Sequence, residues 1–246
     1  MRLRFGGKPD GQRIELDLHV AATWLLDHEE GKGYPRASVR LYDYADTDDL
    51  DDARRCSPRD HVSLTDLGRI TCLGASLRYN RAHDLMTRTA EFNWPSSLPR
   101  LRDTPDDETF IVDPGVEAAE ELFRQFKRLP DIATGTASKL LHLKWPDFYP
   151  IADRQFRRAY GRRAASLHNA SRNLEGTRQR SDGEIRAYWL AFRVDLADNH
   201  DALAALPDRI REIASTEEDR VHAERLAALG PLRLLDMLAW GHSDGP

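Results

Sequence analysis

The chain has 246 residues, of which 40% are hydrophobic and 31% charged, and its formal net charge is −5. This is the balance of a globular protein with a strongly charged surface, long enough for one large domain or two small ones. No apolar run approaches the roughly 18 residues that a membrane-spanning helix needs, and no apolar segment follows the basic N-terminal residues, so neither a membrane protein nor a secretory signal is expected. The two cysteines, Cys56 and Cys72, match no zinc-binding pattern, and we expect no metal, no cofactor and a reducing, cytoplasmic location.

Helical periodicity outweighs strand alternation along the whole chain. The predicted helices span residues 15–29, 63–77, 82–92, 113–126, 134–144, 152–160, 181–196, 203–213, 221–229 and 232–240. Ser63 with Asp66, and Ser181 with Glu184, have the residue types of a capping box at the start of two of these helices. The predicted fold class is therefore all-α, a compact multi-helix domain over residues 1–246.

Three segments have too few apolar residues at regular spacing to predict an element. Residues 34–52 run into a series of acids, residues 95–109 hold three prolines, and residues 161–180 are rich in arginine, serine and asparagine. All three are predicted to be loops, the last two exposed. Residues 95–109 are the candidate boundary between two subdomains.

Basic residues concentrate in one part of this acidic chain. Between residues 139 and 180, ten lysines and arginines stand against three acids, a local net charge of +7. Such a region is typical of a surface that binds an anion or a nucleic acid. The alternative is a solvated helix face whose arginines pair with acids elsewhere.

The sequence LPDIATGTASKLL, at residues 129–141, has the pattern of a helix end, a tight turn and a second helix. Sixteen residues after Ala137 stands Asp153, within the sequence PIADRQFRR at 150–158. Together these segments resemble the helix-hairpin-helix DNA glycosylases. In that superfamily the hairpin reads leucine-proline-glycine-hydrophobic-glycine, and proline-valine-aspartate begins another helix some twenty residues later. The resemblance covers residues 113–163.

The resemblance implies that backbone N–H groups at the start of the second hairpin helix bind one DNA phosphate. Asp153 would stabilise the cationic sugar that forms when a flipped-out base departs, or would activate water. The residues expected to contact DNA are Thr134, Gly135, Thr136, Arg154, Arg157 and Arg158.

The chain departs from the superfamily's pattern at several positions. Asp131 and Ala133 replace the two hairpin glycines, and an aspartate beside a phosphate would repel it. Gly135 stands where the bifunctional members carry a nucleophilic lysine, which favours a monofunctional N-glycosylase. Ala152 is an additional residue before Asp153, which leaves the position of the carboxylate open.

The segment ASKLLHLKWPDFYPIAD, at residues 137–153, also looks like a bacterial group of uncharacterised proteins. That second resemblance implies a fold related to the glycosylases and no established activity. The closest predicted relationship is with this group.

Two further functions compete with DNA binding. The first is an enzyme for a small molecule, with Lys139, His142 and Asp153 as catalytic residues in one pocket. The second is a helical interaction protein without catalysis, of unknown oligomeric state. Each residue also has a structural interpretation: Asp153 as a helix cap, Lys139 paired with an acid, His142 satisfied in the core.

Overall fold

The computed structural model describes residues 1–7, 12–27, 35–105, 108–175 and 183–242. Within these residues the chain forms one antiparallel pair of strands and twelve α-helices. The strands and helices are β1 (Arg2–Phe5), β2 (Ile14–Asp17), α1 (Leu18–Leu26), α2 (Arg36–Ser38), α3 (Leu50–Arg55), α4 (Leu64–Thr71), α5 (Tyr79–Arg88), α6 (Pro114–Arg128), α7 (Thr134–Lys144), α8 (Arg154–Glu175), α9 (Gly183–Asp198), α10 (His200–Ile213), α11 (Glu217–Ala227) and α12 (Pro231–Gly241). The fold is mostly helical, as predicted, but it is not all-α. In the part of the chain that is described, no helix is long and apolar enough to cross a bilayer.

The N-terminal strands are the main error in the predicted fold class. Residues 15–17, expected to begin a helix, belong instead to β2, which pairs with β1. Asp17 accepts a hydrogen bond from the His19 backbone N–H at the start of α1. Leu3 and Phe5 of β1 are fully buried. The Asn199 side chain holds this strand through both backbone groups of Arg4. Its amide oxygen accepts from the Arg4 N–H and its amide nitrogen donates to the Arg4 carbonyl, each at 2.7 Å.

Local capping signals locate helix ends well. Ser63 and Asp66 form the predicted capping box of α4, with both reciprocal hydrogen bonds present. Asp113 accepts from two backbone N–H groups at the start of α6, where Pro114 occupies the first turn. The predicted start at Ser181 lies outside the described residues; α9 is described from Gly183.

The prediction of a loop at residues 34–52 is wrong because distant residues order this segment. Within residues 34–52 the chain forms α2, a π-helical turn over Val39–Asp43 and the start of α3. Arg69 of α4 donates to the backbone carbonyls of Tyr42, Ala53 and Asp43, at 2.6–3.0 Å, and thereby satisfies a segment whose own side chains give no helical pattern.

The other two loop predictions are also corrected. Helix α8 continues to Glu175 through most of the segment predicted as the third loop, packing against α9; residues 176–180 lie outside the described part. Residues 95–105 are not uniformly exposed, since Leu101 and Thr104 are buried. The Leu101 N–H donates to the Asp147 carbonyl at 2.8 Å, which joins this segment to the turn after α7.

Helix α7 is the most enclosed element near the candidate site. Its residues from Ala137 to Lys144 are all buried, and it packs against α4 and α6. After α7, Phe148 and Tyr149 pack edge-on against Trp189 of α9, and the Tyr149 hydroxyl donates to the Ala119 carbonyl at 2.8 Å. The segment after the C-terminal end of α7 is thus anchored on α6 and α9.

Candidate functional site

The turn between α6 and α7 has the backbone of a helical hairpin. Asp131 adopts a left-handed conformation with φ of 61°, which glycine adopts readily and most other residues do not. Leu129 and Ile132 are buried on either side of it. The Lys127 ammonium donates to the Ile132 carbonyl at 2.8 Å and closes the turn against the end of α6. Asp131 therefore occupies a glycine-type position with its carboxylate exposed.

An arginine from another helix pairs with that carboxylate. Arg81 of α5 approaches Asp131 with Nη2 2.6 Å from Oδ2, and it also contacts Asp84 at 3.2 Å. This ion pair offsets the negative charge that the sequence places in the turn.

The first turn of α7 has no side-chain cap. Ala133, the residue before it, is extended and makes no capping hydrogen bond, and no acid lies in the first turn. Thr134, Gly135 and Thr136 are partly exposed. The N–H groups at this helix start therefore carry partial positive charge without an acidic side chain in that turn.

Asp153 lies beside this helix start. A Cβ atom added to Gly135 would lie 3.4 Å from Asp153 Cα and 3.5 Å from its Cβ, so the N-termini of α7 and α8 are adjacent. Asp153 Oδ1 accepts from the N–H groups of Gln155 and Phe156 at 3.0 and 3.1 Å, which is the helix-cap role considered above. Its partly exposed carboxylate has a second oxygen for which the described residues supply no hydrogen bond.

Three exposed arginines follow on the first turns of α8. Arg158 contacts the Gln155 side chain, whereas Arg154 and Arg157 have no acidic partner among the residues described. Arg157 also lies near the hairpin: burial and, to a lesser extent, the charge of Arg157 lower the pKa of Lys127. The hairpin turn is thus flanked by cationic side chains.

Lys139 is buried and has a partner of its own. Its ammonium donates to the Leu73 carbonyl at 2.5 Å, which ties α7 to the segment before α5. Burial lowers the pKa of Lys139, while the carboxylates of Asp153 and Asp236 act in the opposite direction. Lys139 therefore positions the chain that leads to Arg81.

His142 lies at the other end of α7. Its Nδ1 donates to the Tyr149 carbonyl at 2.7 Å, and its ring stacks on Tyr42 with 6.0 Å between centroids. Burial, with the nearby charge of Arg233, lowers the pKa of His142 to about 3. The imidazole is therefore neutral at physiological pH, with Nε2 unprotonated.

His142 lines a small open cleft of about 410 Å³, including the solvent at its mouth. The other residues lining the cleft are Asp43, Leu50, Arg54, Arg69, Leu143, Pro146, Asp147, Leu229, Gly230 and Arg233. Lys139 and Asp153 are not among them. The three residues predicted to share one catalytic pocket are thus divided between the hairpin side and this cleft.

The buried charges in the wall of the cleft and next to it were not predicted from the sequence. Arg233 bridges Asp43, with Nε 2.9 Å from Oδ1, and Asp236, with Nη1 2.8 Å from Oδ2. Burial raises the pKa of Asp236 to about 7 despite this pairing. A signal was available, because Arg233 and Asp236 are three residues apart in an otherwise apolar helix, whereas nothing in the sequence links them to Asp43.

Comparisons with known proteins identify a family but no activity. No curated protein and no solved structure matches the chain significantly. One family profile, described as a family of unknown function (DUF6308), matches residues 31–243. That span is well over half of the chain and includes the hairpin, Asp153 and the cleft. The chain therefore belongs to the DUF6308 family.

Proposed function

We propose that the chain binds DNA through a hairpin face, defined by the turn at residues 129–133, the start of α7 at 134–136 and the arginines Arg154, Arg157 and Arg158. The observation that carries the proposal is the left-handed Asp131 between two packed helices, in a hairpin whose second helix starts next to Asp153. The exposed Arg154 and Arg157 follow Asp153, and the described residues supply no acidic partner for either. A glycine-type turn allows a backbone to approach a phosphate closely, and adjacent arginines add charge to that contact.

Net charge does not argue against this interaction. Phosphate binding depends on local rather than total charge, and the acids nearest the turn are engaged: Asp131 with Arg81, and Asp153 with the start of α8. From the hairpin turn and the adjacent start of α8 we infer a fold related to the helix-hairpin-helix glycosylases, with Asp153 as the functional carboxylate of a monofunctional N-glycosylase.

The alternative of a small-molecule enzyme has less support. Its three residues do not line a common cleft, and Lys139 and His142 each donate to a backbone carbonyl. The neutral His142 beside Arg54 and Asp147 is the feature that favours it.

Equilibrium binding tests the main proposal. A fluorescein-labelled 20-base-pair duplex is titrated by anisotropy at several salt concentrations, with wild type and with the Arg157→Gln and Arg158→Gln variants. Each variant should bind more weakly, and each should reduce the slope of log K against log salt by about one unit. Arg220→Gln, which removes an exposed arginine of α11, is the control and should bind as wild type. Absent or salt-independent binding by wild type would overturn the proposal.

Base release tests the catalytic part. Duplexes carrying uracil, an alkylated purine or 8-oxoguanine are incubated with wild type and with Asp153→Asn. Asparagine is as good a helix cap as aspartate, so the variant should keep its fold and its DNA affinity while losing the charge. Release by wild type and its loss in the variant support catalysis by Asp153. Binding without release of any base restricts the function to DNA binding.

A further inference from the structure

The cleft that His142 lines shares no residue with the hairpin face, and the protein does not use all of its polar groups. His142 is only 2% exposed, and its Nδ1 is committed to the Tyr149 carbonyl. Nε2 has no hydrogen-bond partner among the described residues, yet it is not one of their fully enclosed polar atoms without a partner. Nε2 is therefore open to the cleft, where an unprotonated ring nitrogen can only accept a hydrogen bond.

Asp147 adds a second acceptor to the cleft. Its side chain is partly exposed, and the described residues donate no hydrogen bond to its carboxylate. The carboxylate lies at the start of α12, since a Cβ atom added to Gly230 would be 3.2 Å from Asp147 Oδ1. The backbone of Asp147 is fixed, because its carbonyl accepts from the Leu101 N–H at 2.8 Å. A ligand in the cleft is thus offered two acceptors on a supported wall.

Arg54 supplies a cation at the same cleft. Its guanidinium is exposed, and its one ion pair within the described residues is a long one, with Nη1 4.0 Å from Asp51 Oδ1. Arg54 and Asp147 line the same cleft but form no ion pair with each other. Their opposite charges are therefore separated, and both are accessible to a ligand between them.

The other charged groups of the cleft are already engaged. Arg69 donates to three backbone carbonyls, and Arg233 pairs with two buried carboxylates, of which one is the Asp43 carboxylate in the cleft wall. The rest of the wall is apolar and consists mainly of Leu50, Leu143, Pro146 and Leu229. In this described part of the chain, the cleft thus offers one cation, one carboxylate and one neutral acceptor beside an apolar wall.

We propose that this cleft binds a small zwitterion with a primary ammonium and a carboxylate, that is, a free amino acid. The ammonium has three N–H donors, enough for both Asp147 and His142, and the carboxylate pairs with Arg54. A simple anion would be repelled by Asp147 and a simple amine by Arg54, so a ligand with both charges is favoured over either. The cleft volume of about 410 Å³, which includes the solvent at its mouth, suits a ligand of this size. The proposal does not depend on DNA binding at the hairpin face.

Calorimetric titration of the full chain with each of the common protein amino acids tests the proposal. For the tightest binder, the carboxylic acid without the amino group and the amine without the carboxyl group are titrated in parallel. Each analogue should bind about tenfold more weakly or worse, because it lacks one charge-assisted hydrogen bond. Arg54→Gln and Asp147→Asn should weaken binding of the amino acid similarly. Arg55→Gln, one residue further along α3 and outside the cleft, is the control and should bind as wild type.

Nitrogen NMR of histidine-labelled protein gives a readout of His142 itself. The Nε2 resonance, assigned with His142→Asn, should shift when the amino acid binds, because Nε2 then accepts a hydrogen bond. An unchanged resonance at saturation would overturn the proposal. So would no binding of any amino acid at millimolar concentration, an analogue that binds as tightly as the amino acid, or affinity unaffected by Arg54→Gln and Asp147→Asn. Each of these results would leave DNA binding by the hairpin face untouched.

Discussion

Arg81 and Asp131 form an ion pair across the junction of α5 and the hairpin turn, with Nη2 2.6 Å from Oδ2. Asp131 of this pair has a backbone conformation that costs an aspartate free energy and a carboxylate that would repel a phosphate. Asp131 has the left-handed backbone of a glycine position, and its carboxylate lies where the proposed phosphate would approach. Arg81 compensates for the charge but leaves the backbone conformation in place.

The first prediction concerns Asp131. Replacing it with glycine should raise the affinity for DNA on the order of fivefold at low salt, because a negative charge is removed and Arg81 is released to contact a phosphate. Stability should change little, since glycine tolerates the left-handed backbone and an exposed ion pair contributes at most about 1 kcal/mol. Anisotropy titration and urea unfolding measure the two effects.

Asp131→Asn is the matched variant. Asparagine also tolerates a left-handed backbone, so it should raise affinity as glycine does. If neither variant binds DNA more tightly, the phosphate does not lie at this turn.

The second prediction concerns pH and His142. In the unfolded chain the imidazole has its ordinary pKa near 6.5, whereas in the folded chain its pKa is about 3. The folded state is thus not penalised for keeping this imidazole neutral above pH 6.5. As pH decreases from 6.5 towards 3, the unfolded chain takes up a proton that the folded chain does not, and the free energy of unfolding falls by about 2 kcal/mol between pH 7 and 5. His142→Asn keeps a donor for the Tyr149 carbonyl but cannot take up a proton. The variant should therefore lose about 2 kcal/mol less of its free energy of unfolding than wild type does between pH 7 and pH 5.

The measurement compares urea unfolding at pH 7 and pH 5 for wild type and variant. His222 and Asp236, whose pKa values are about 4 and about 7, titrate with opposite signs in the same range and are present in both proteins. The difference between the two pH profiles therefore isolates His142. Identical profiles would show that this imidazole is not held neutral.

The third prediction concerns the pair formed by Lys144 and Asp66. Lys144 Nζ lies 2.5 Å from Asp66 Oδ2, and both side chains are fully buried. Lys144→Met should destabilise the fold by about 3–5 kcal/mol, because the carboxylate stays buried without its cation. Arg55→Met removes the exposed partner of Asp52 and should cost less than about 1 kcal/mol. Similar losses in both variants, measured by urea unfolding, would contradict this account.

The fourth prediction concerns Asn199 and the N-terminal strands. Asn199→Ala leaves the N–H and carbonyl of Arg4 without their partner and should cost about 2 kcal/mol. Amide exchange should accelerate most at Arg4, whose N–H donates to the Asn199 side chain. His200→Ala, at the exposed neighbouring position, should leave exchange unchanged. Faster exchange spread evenly over the protein would indicate that Asn199 does not act on β1 specifically.

The elements that sequence analysis predicted well are those defined by local chemistry. Helix α7 spans residues 134–144 as predicted, and the capping box at Ser63 is present, because caps and turns involve residues within one helical turn of each other. The two strands were missed because pairing residues 2–5 with 14–17 depends on burial against Asn199, which is far away in the sequence.

In the candidate site too, features defined by neighbouring residues were predicted and features that join distant residues were not. The hairpin, Asp153 and the α8 arginines were predicted from a contiguous segment, and they do lie near one another. The grouping of Lys139, His142 and Asp153 in one pocket was not found, since residues on one helix separated by a turn can face different neighbours. The Asp43–Arg233 pair could not be predicted, because it joins residues 190 positions apart.

The most direct test of the central claim is hydrogen exchange measured by mass spectrometry, with and without a saturating 20-base-pair duplex at low salt. Binding at the hairpin face predicts slower exchange in peptides covering residues 129–137 and 153–160, and no change over residues 217–227 of α11. Protection confined to α11 or to the cleft, or no protection anywhere, would contradict DNA binding by the hairpin.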